Sequence, residues 1–73
     1  MTEAEARGLL RAYRGYGMVD RWIAEQPWQA APDGWTVTGA LQGWQFHVEV
    51  IPAGLRIRAG EPGAVPAVWI VKG

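Results

Sequence analysis

Residues 35–59 read WTVTGALQGWQFHVEVIPAGLRIRA, and this stretch decides the fold. Apolar and polar residues alternate through it in three segments, and a period of two is typical of strands that bury one face. Gln42-Gly43 separates the first two segments, and Ile51-Pro52-Ala53-Gly54 separates the last two. Because glycine tolerates the positive φ that tight hairpin turns need, the stretch predicts a three-stranded antiparallel meander.

The first turn sets the pairing of the first two strands. If Gln42-Gly43 is a two-residue turn, Leu41 lies opposite Trp44. Val37 then lies opposite Val48, so that apolar side chains meet apolar side chains. Such agreement is required wherever one face of a sheet is buried. We therefore expect the first two strands to share one apolar face.

Charge pairing predicts the length of the second turn. A four-residue turn places Glu49 opposite Arg56 and His47 opposite Arg58, whereas a three-residue turn would place Glu49 opposite Ile57. Opposite charges that face each other across a sheet stabilise it by a few tenths to about 1 kcal/mol, so the four-residue turn is predicted. The inward face then carries Trp35, Val37, Phe46, Val48, Val50 and Ile57, and the open face carries Thr36, Thr38, Gln45, His47, Glu49, Arg56 and Arg58.

The N-terminal part of the chain has helical patterning. Thr2 stands three residues before Glu5, which is the spacing of a capping box, and a helix is therefore predicted to begin near Glu3. Apolar residues then recur on one side of a 3.6-residue wheel, while the arginines fall on the other side. This pattern predicts an amphipathic first helix.

A break in this helical pattern is predicted at Gly15-Tyr16-Gly17. The apolar residues at 18–23 fall on a different side of the wheel from the earlier set, so one straight helix could not direct both sets into one core. We expect one of the glycines to form a left-handed C-cap and a second helix to run from Met18 to Glu25. One long helix kinked at the glycines is the alternative.

Proline and glycine divide the rest of the chain. Pro27 ends the helical pattern, and residues 26–34 read as a connector loop that closes in an Asp33-Gly34 turn. Residues 65–71 predict a fourth strand that is apolar on both faces, with Pro66 suited to its start or to an edge. The predicted fold is one α+β domain over residues 1–73, with two N-terminal helices, or one kinked helix, packed on one face of a four-stranded antiparallel meander sheet.

Composition narrows the classes of function. The chain of 73 residues has a formal net charge of zero and no Cys, so neither bulk attraction to nucleic acid nor a disulfide framework is indicated. No apolar run approaches the length of a membrane span, and the acidic N-terminus lacks a signal core. We therefore expect a cytoplasmic protein with no membrane contact.

The chain offers little for catalysis. His47 and Glu49 project from the same strand face, but there is no Ser or Cys for the imidazole to activate. A metal would need further ligands, and Arg56 and Arg58 on that face repel cations. The sequence therefore predicts no enzyme, no cofactor and no metal site, with His47 as a surface histidine.

Two functional hypotheses remain. The preferred one is a non-catalytic protein-interaction module that binds a protein partner or forms a homodimer. A chain this small cannot bury both faces of the apolar fourth strand, so Val68, Trp69 and Ile70 are candidate partner-binding residues, and Trp28 is a candidate exposed anchor.

The alternative hypothesis is nucleic-acid binding. Arginine guanidinium groups suit phosphates, and they stand both on the open sheet face and along the first helix. The simpler interpretation is that both sets of arginines form a solvated charged surface. The residues that would contact nucleic acid are Arg56, Arg58 and His47 on the sheet, or Arg7, Arg11 and Arg14 on the helix.

Overall fold

The computed structural model describes residues 1–41 and 43–73, so Gln42 of the first predicted turn lies outside the described residues. Within these ranges two helices precede five strands, which form one antiparallel sheet in sequential order. The α+β class is confirmed, and the predicted number of four strands was wrong. The elements are α1 (Glu3–Ala12), α2 (Met18–Glu25), β1 (Trp28–Ala31), β2 (Gly34–Leu41), β3 (Trp44–Ile51), β4 (Gly54–Gly60) and β5 (Ala67–Lys72).

The capping box at the start of α1 is confirmed. The Thr2 hydroxyl accepts from the Glu5 backbone amide at 3.2 Å, and the Thr2 amide donates to the Glu5 carboxylate at 3.1 Å. These two bonds satisfy amides that a helix N-terminus otherwise leaves without partners. Neither helix in the described part of the chain is long and apolar enough to cross a bilayer.

The break between the helices is confirmed, and the alternative of one kinked helix is wrong. Its geometry differs from the prediction, because Tyr13 in an extended conformation is the C-cap of α1. Gly17, with φ of 64°, is instead the N-cap of α2. A positive φ at this position turns the chain sharply, and glycine has no Cβ to oppose it. The second helix has the predicted bounds, Met18 to Glu25.

Strand β1 replaces the predicted connector loop. Trp28 pairs with Val37 and Gln29 with Thr36, so the segment adds an antiparallel strand to β2. Alanine has low strand preference, which is one reason why the segment reads as a loop in isolation. The pairing edge of β2 supplies the partner that local preference does not reveal.

The predicted register between β2 and β3 was wrong over most of its length. Leu41 does pair with Trp44, but Val37 pairs with Phe46 rather than with Val48. An irregularity between Val37 and Leu41 places two extra residues in β2. Because the shift is by an even number, the same side chains stay on the same face. Gly43, with φ of 79°, has the positive φ predicted for the turn.

The register between β3 and β4 agrees with the prediction. Val48 pairs with Ile57, Glu49 with Arg56 and His47 with Arg58. The turn is tighter than predicted, because Ile51 and Gly54 also pair and only the two residues between them form the turn.

The core lies on the face that the alternation predicted. Phe46 is 3% exposed, whereas its neighbour His47 is half-buried on the opposite face. The helices contribute to the same core, and the ring of Trp22 lies 5.3 Å from that of Phe46. The buried apolar residues are Ala6, Leu10, Ile23, Ala24, Val37, Phe46, Val48, Leu55, Ile57, Ala59, Trp69 and Val71.

Candidate interaction surface

We call the sheet surface opposite this core the outer face. Strand pairing places its side chains in two rows that cross from β1 to β5. Both rows are polar in the middle and end in an apolar residue on β5. The first row is Gln29, Thr36, His47, Arg58 and Val68, and the second is Ala31, Gly34, Glu49, Arg56 and Ile70.

Charges on the outer face neutralise one another locally. The Glu49 carboxylate accepts from Arg56 Nη1 at 3.0 Å and from Arg58 Nη2 at 3.4 Å. His47 Nε2 lies 3.0 Å from the Asp33 carboxylate in the β1–β2 turn. This hydrogen bond lowers the pKa of Asp33. The charged side chains of the outer face therefore have partners on the same face. The pairing with Asp33 was missed because strand β1, which leads into the turn that contains Asp33, was not predicted.

Three exposed carboxylates predict how stability depends on pH. The Thr2 amide lowers the pKa of Glu5, Arg11 lowers that of Glu25, and His47 lowers that of Asp33. A pKa that is lower in the folded chain means that these groups stabilise the fold above the ordinary values of 4.5 for Glu and 3.8 for Asp. We expect urea titrations to show a free energy of unfolding that falls as the pH drops through and below these values.

The Arg11–Glu25 pair allows a matched control for this pH dependence. Glu25→Gln keeps the side-chain size and removes one of the three titrating groups, so its stability should fall less between pH 6 and pH 3 than that of the wild type. Equal pH dependence in the two proteins would contradict this assignment.

An open cleft of about 610 Å³ lies on the outer face beside His47, and residues of the loop at 61–66 form part of its lining. Thr36, Gln45 and Arg58 also line it. The described residues contain no group of three potential metal ligands among His, Cys, Asp and Glu. The one imidazole is held by Asp33, and the arrangement offers polar contacts rather than an activated nucleophile.

Two arginines of α1, Arg7 and Arg11, connect the two helices. Arg7 Nη1 donates to the carbonyl oxygens of Ala24 and Gln26 at the end of α2, where carbonyls lack helical partners. Arg11 forms an ion pair with Glu25 at 2.6 Å. Arg14, whose Nη1 donates to the Arg11 carbonyl at 2.9 Å, caps the end of α1. These contacts give the predicted basic stripe a structural role.

Trp28 is held against the core rather than presented as an anchor. Its indole Nε1 donates to the Ile23 carbonyl at 2.7 Å, and the Arg7 guanidinium lies 4.7 Å from its ring centroid. The ring also contacts Trp35 at a centroid distance of 5.3 Å. Trp28 is half-buried and has contacts on several sides, so it is not an exposed anchor for a partner.

Trp69 faces the core and is 7% exposed. Its indole Nε1 donates to Asp20 Oδ1 at 3.0 Å, and the ring of Tyr16 stacks on it at 4.2 Å. The Asp20 carboxylate is fully buried and also accepts from the Tyr16 amide at 3.1 Å. Asp20 was not predicted to form this buried contact. In the sequence it is only an acidic residue in the first turn of α2, which is common on exposed helix surfaces.

Val68 and Ile70 are the predicted partner-binding residues that lie on the outer face. Val68 is 52% exposed and Ile70 is half-buried. They extend from β5, which is the last strand in the sheet order, and in the described part of the chain no strand pairs with its other side. The candidate surface is therefore the free edge of β5 with these two side chains beside it.

The opposite edge of the sheet is protected. Strand β1 is only four residues long, and it lies between Pro27 and Pro32. Short edge strands and prolines are devices that prevent further strand pairing. Strand β5 is six residues long and contains no proline, and Pro66 directly precedes it.

Protein-family models, curated proteins and solved structures were compared with the chain, and none matches. Function is therefore inferred from the outer face and from β5.

Proposed function

We propose that the protein is a non-catalytic interaction module that self-associates through β5. The observation that carries this proposal is the free edge of β5 with exposed Val68 and half-buried Ile70 beside it. Every second residue of an edge strand directs its backbone N–H and C=O away from the sheet. Such a row of unpaired groups is a template for pairing with another strand.

Apolar side chains on the same strand favour occupation of this edge. Pairing with a second strand would cover Val68 and Ile70 from the side on which they now meet water. Removal of apolar surface from water contributes about 25 cal/mol per Å². Backbone hydrogen bonds and side-chain burial would therefore act together at β5.

A second copy of the chain is the occupant we propose. Two β5 strands related by a two-fold axis form an isologous contact that closes as a dimer. Pairing of β5 with β1 of another copy would instead generate a ring or an open fibre, and the proline-flanked β1 opposes it. The formal net charge of zero adds no long-range repulsion between copies.

The test is the substitution Val68→Lys. A lysine at the centre of the proposed interface would place an ammonium group against apolar side chains of the second copy. We expect the dimer dissociation constant, measured by light scattering or sedimentation, to rise by more than about tenfold. The far-ultraviolet circular dichroism should be unchanged, because Val68 is already 52% exposed in one copy.

Met18→Lys is the matched control, because Met18 is 84% exposed and lies on α2 rather than on β5. Its dissociation constant should equal that of the wild type. A wild-type chain that stays monomeric at the highest soluble concentration would contradict the proposal. So would a Val68→Lys protein that dimerises as strongly as the control.

The nucleic-acid alternative has less support. It requires free guanidinium groups, whereas Arg7 and Arg11 join the two helices and Arg56 is paired with Glu49. Arg58 makes the longer contact of 3.4 Å and is the cation of the outer face with the weakest partner. On the outer face, one loosely held arginine is a small basis for phosphate binding.

A further inference from the structure

We infer the register of this dimer: the two β5 strands run antiparallel about a two-fold axis at Trp69, so that Val68 of one copy lies opposite Ile70 of the other. This inference rests on the proposed self-association through β5. It specifies which residues meet, and so it can fail while the proposed dimer survives.

Continuity of the two faces restricts the register. On β5 the residues Ala67, Trp69 and Val71 face the core, whereas Val68, Ile70 and Lys72 lie on the outer face. A one-residue slip would bring core-facing side chains of one copy onto the outer face of the other. The two-fold axis must therefore pass through a residue of β5, so that this residue lies opposite the same residue of the other copy. It cannot pass between two neighbouring residues.

Strand length reduces the choice further. An axis at Val68 pairs only residues 67–69 of each copy within the strand. An axis at Trp69 pairs residues 67–71, and an axis at Ile70 pairs residues 68–72, given the bounds Ala67–Lys72. Each added pair contributes side-chain contact, and every second pair contributes backbone hydrogen bonds, so the two longer registers are favoured.

Side-chain chemistry separates the two longer registers. With the axis at Ile70, Lys72 would face Val68 of the second copy, which is itself paired with Arg58. This places an ammonium group opposite an apolar side chain and brings two cations towards each other. With the axis at Trp69, two contacts between Val68 and Ile70 form instead, and apolar side chains meet apolar side chains.

The position of Lys72 in the dimer gives a second reason to place the axis at Trp69. In this register Lys72 faces Pro66 of the second copy. Pro66 lies beside Gly60. Glu61 follows Gly60 in the chain and is exposed. An acidic side chain then lies near the lysine of the other copy, so the ends of the paired strands carry complementary charges.

The resulting assembly has a defined outer surface. The two sheets join into one continuous sheet, and both copies of Val68 and Ile70 form one apolar patch across the junction. In each copy Arg58 lies beside Val68 and Arg56 lies beside Ile70, so arginines flank this patch on both sides. The charged centre of each outer face therefore stays in solvent, while Val68 and Ile70 of the two copies cover one another's sides at the junction.

Disulfide capture tests the register, because the natural chain contains no cysteine. Val68→Cys and Ile70→Cys proteins are prepared singly, mixed, and equilibrated in a glutathione redox buffer. Directly opposed residues have Cβ atoms about 4.5–5.5 Å apart, whereas diagonal neighbours are about 7–8 Å apart. A disulfide needs the shorter separation. We expect the mixed disulfide to exceed either homodisulfide by about tenfold, as quantified by intact-mass spectrometry.

Each other outcome has a defined meaning. A dominant homodisulfide of the Ile70→Cys protein would place the axis at Ile70 and overturn the register, but it would leave the proposed dimer in place. A dominant homodisulfide of the Val68→Cys protein would do the same for an axis at Val68. If no disulfide exceeds that of a Met18→Cys control while light scattering shows a dimer, the dimer does not use β5. A monomer in light scattering would refute the proposed function itself.

Discussion

Replacement of Asp20 by alanine is expected to lower the free energy of unfolding by about 3 kcal/mol. The Asp20 carboxylate has no exposed surface and accepts from two donors, the Trp69 indole N–H and the Tyr16 backbone amide. Hydrogen bonds to charged groups contribute about 1.5–3 kcal/mol, and a buried donor left without a partner costs about 1–3 kcal/mol. Removal of the carboxylate leaves the indole N–H buried and unpaired.

The size of this effect is large for a chain of 73 residues. Domains of this length have a stability of only about 3–5 kcal/mol. The Asp20→Ala protein should therefore be partly unfolded without denaturant at 25 °C. Urea titration followed by tryptophan fluorescence and by circular dichroism measures the change.

Two further variants isolate the hydrogen bond between α2 and β5. Trp69→Phe keeps a ring for Tyr16 to stack on but removes the indole N–H, so it should be destabilised by about 2 kcal/mol because the carboxylate loses one donor. Asp33→Ala removes an exposed carboxylate and should change the stability far less than Asp20→Ala. Equal effects of Asp20→Ala and Asp33→Ala would show that the buried network does not stabilise the fold.

Replacement of Gly54 by alanine is expected to lower the free energy of unfolding by about 2–3 kcal/mol. Gly54 begins β4 with φ of 143°, a conformation that side chains rarely adopt and that costs about 1–3 kcal/mol when imposed. A Cβ atom there would overlap the Val71 carbonyl oxygen and lie 2.6 Å from the Gly73 amide nitrogen. Both obstacles are backbone atoms, so β5 would have to move away from β4.

Gly8→Ala is the matched control, because it makes the same chemical change but is expected to raise the free energy of unfolding rather than lower it. Gly8 lies inside α1, and a Cβ atom added there meets no atom within 4 Å. Alanine in a helix interior is favoured over glycine by about 0.5–1 kcal/mol. Chemical denaturation of both variants under one set of conditions measures the difference. A Gly54→Ala protein as stable as the wild type would show that the edge of the sheet adapts freely.

The faces of the sheet could be predicted from the sequence. A period of two is a local property of the chain, so Phe46 and His47 could be assigned to opposite faces without knowing which strands pair. The register between β2 and β3 could not be predicted in the same way, because a slip by two residues leaves every side chain on its own face. Packing decided between registers that the hydrophobic pattern does not distinguish.

The candidate surface was predictable only in part. The apolar pattern of residues 65–71 indicated a strand that a small chain could not bury on both sides, and Val68 and Ile70 do lie on the outer face. The same pattern could not show which residues would turn inward. Trp69 does so because its indole finds Asp20, which lies 49 residues earlier in the chain.

Local signals in the sequence by themselves determined the capping box at Thr2, the separation of two helices, the bounds of α2 and the faces of the side chains in β3 and β4. Each of these depends on residues within a few positions of one another. Tertiary structure alone decided that residues 28–31 form a strand, that the arginines of α1 bind the end of α2, and that β5 ends the sheet. These features depend on partners that are distant in the chain, and distant partners are chosen by the free energy of packing the whole molecule rather than by local preference.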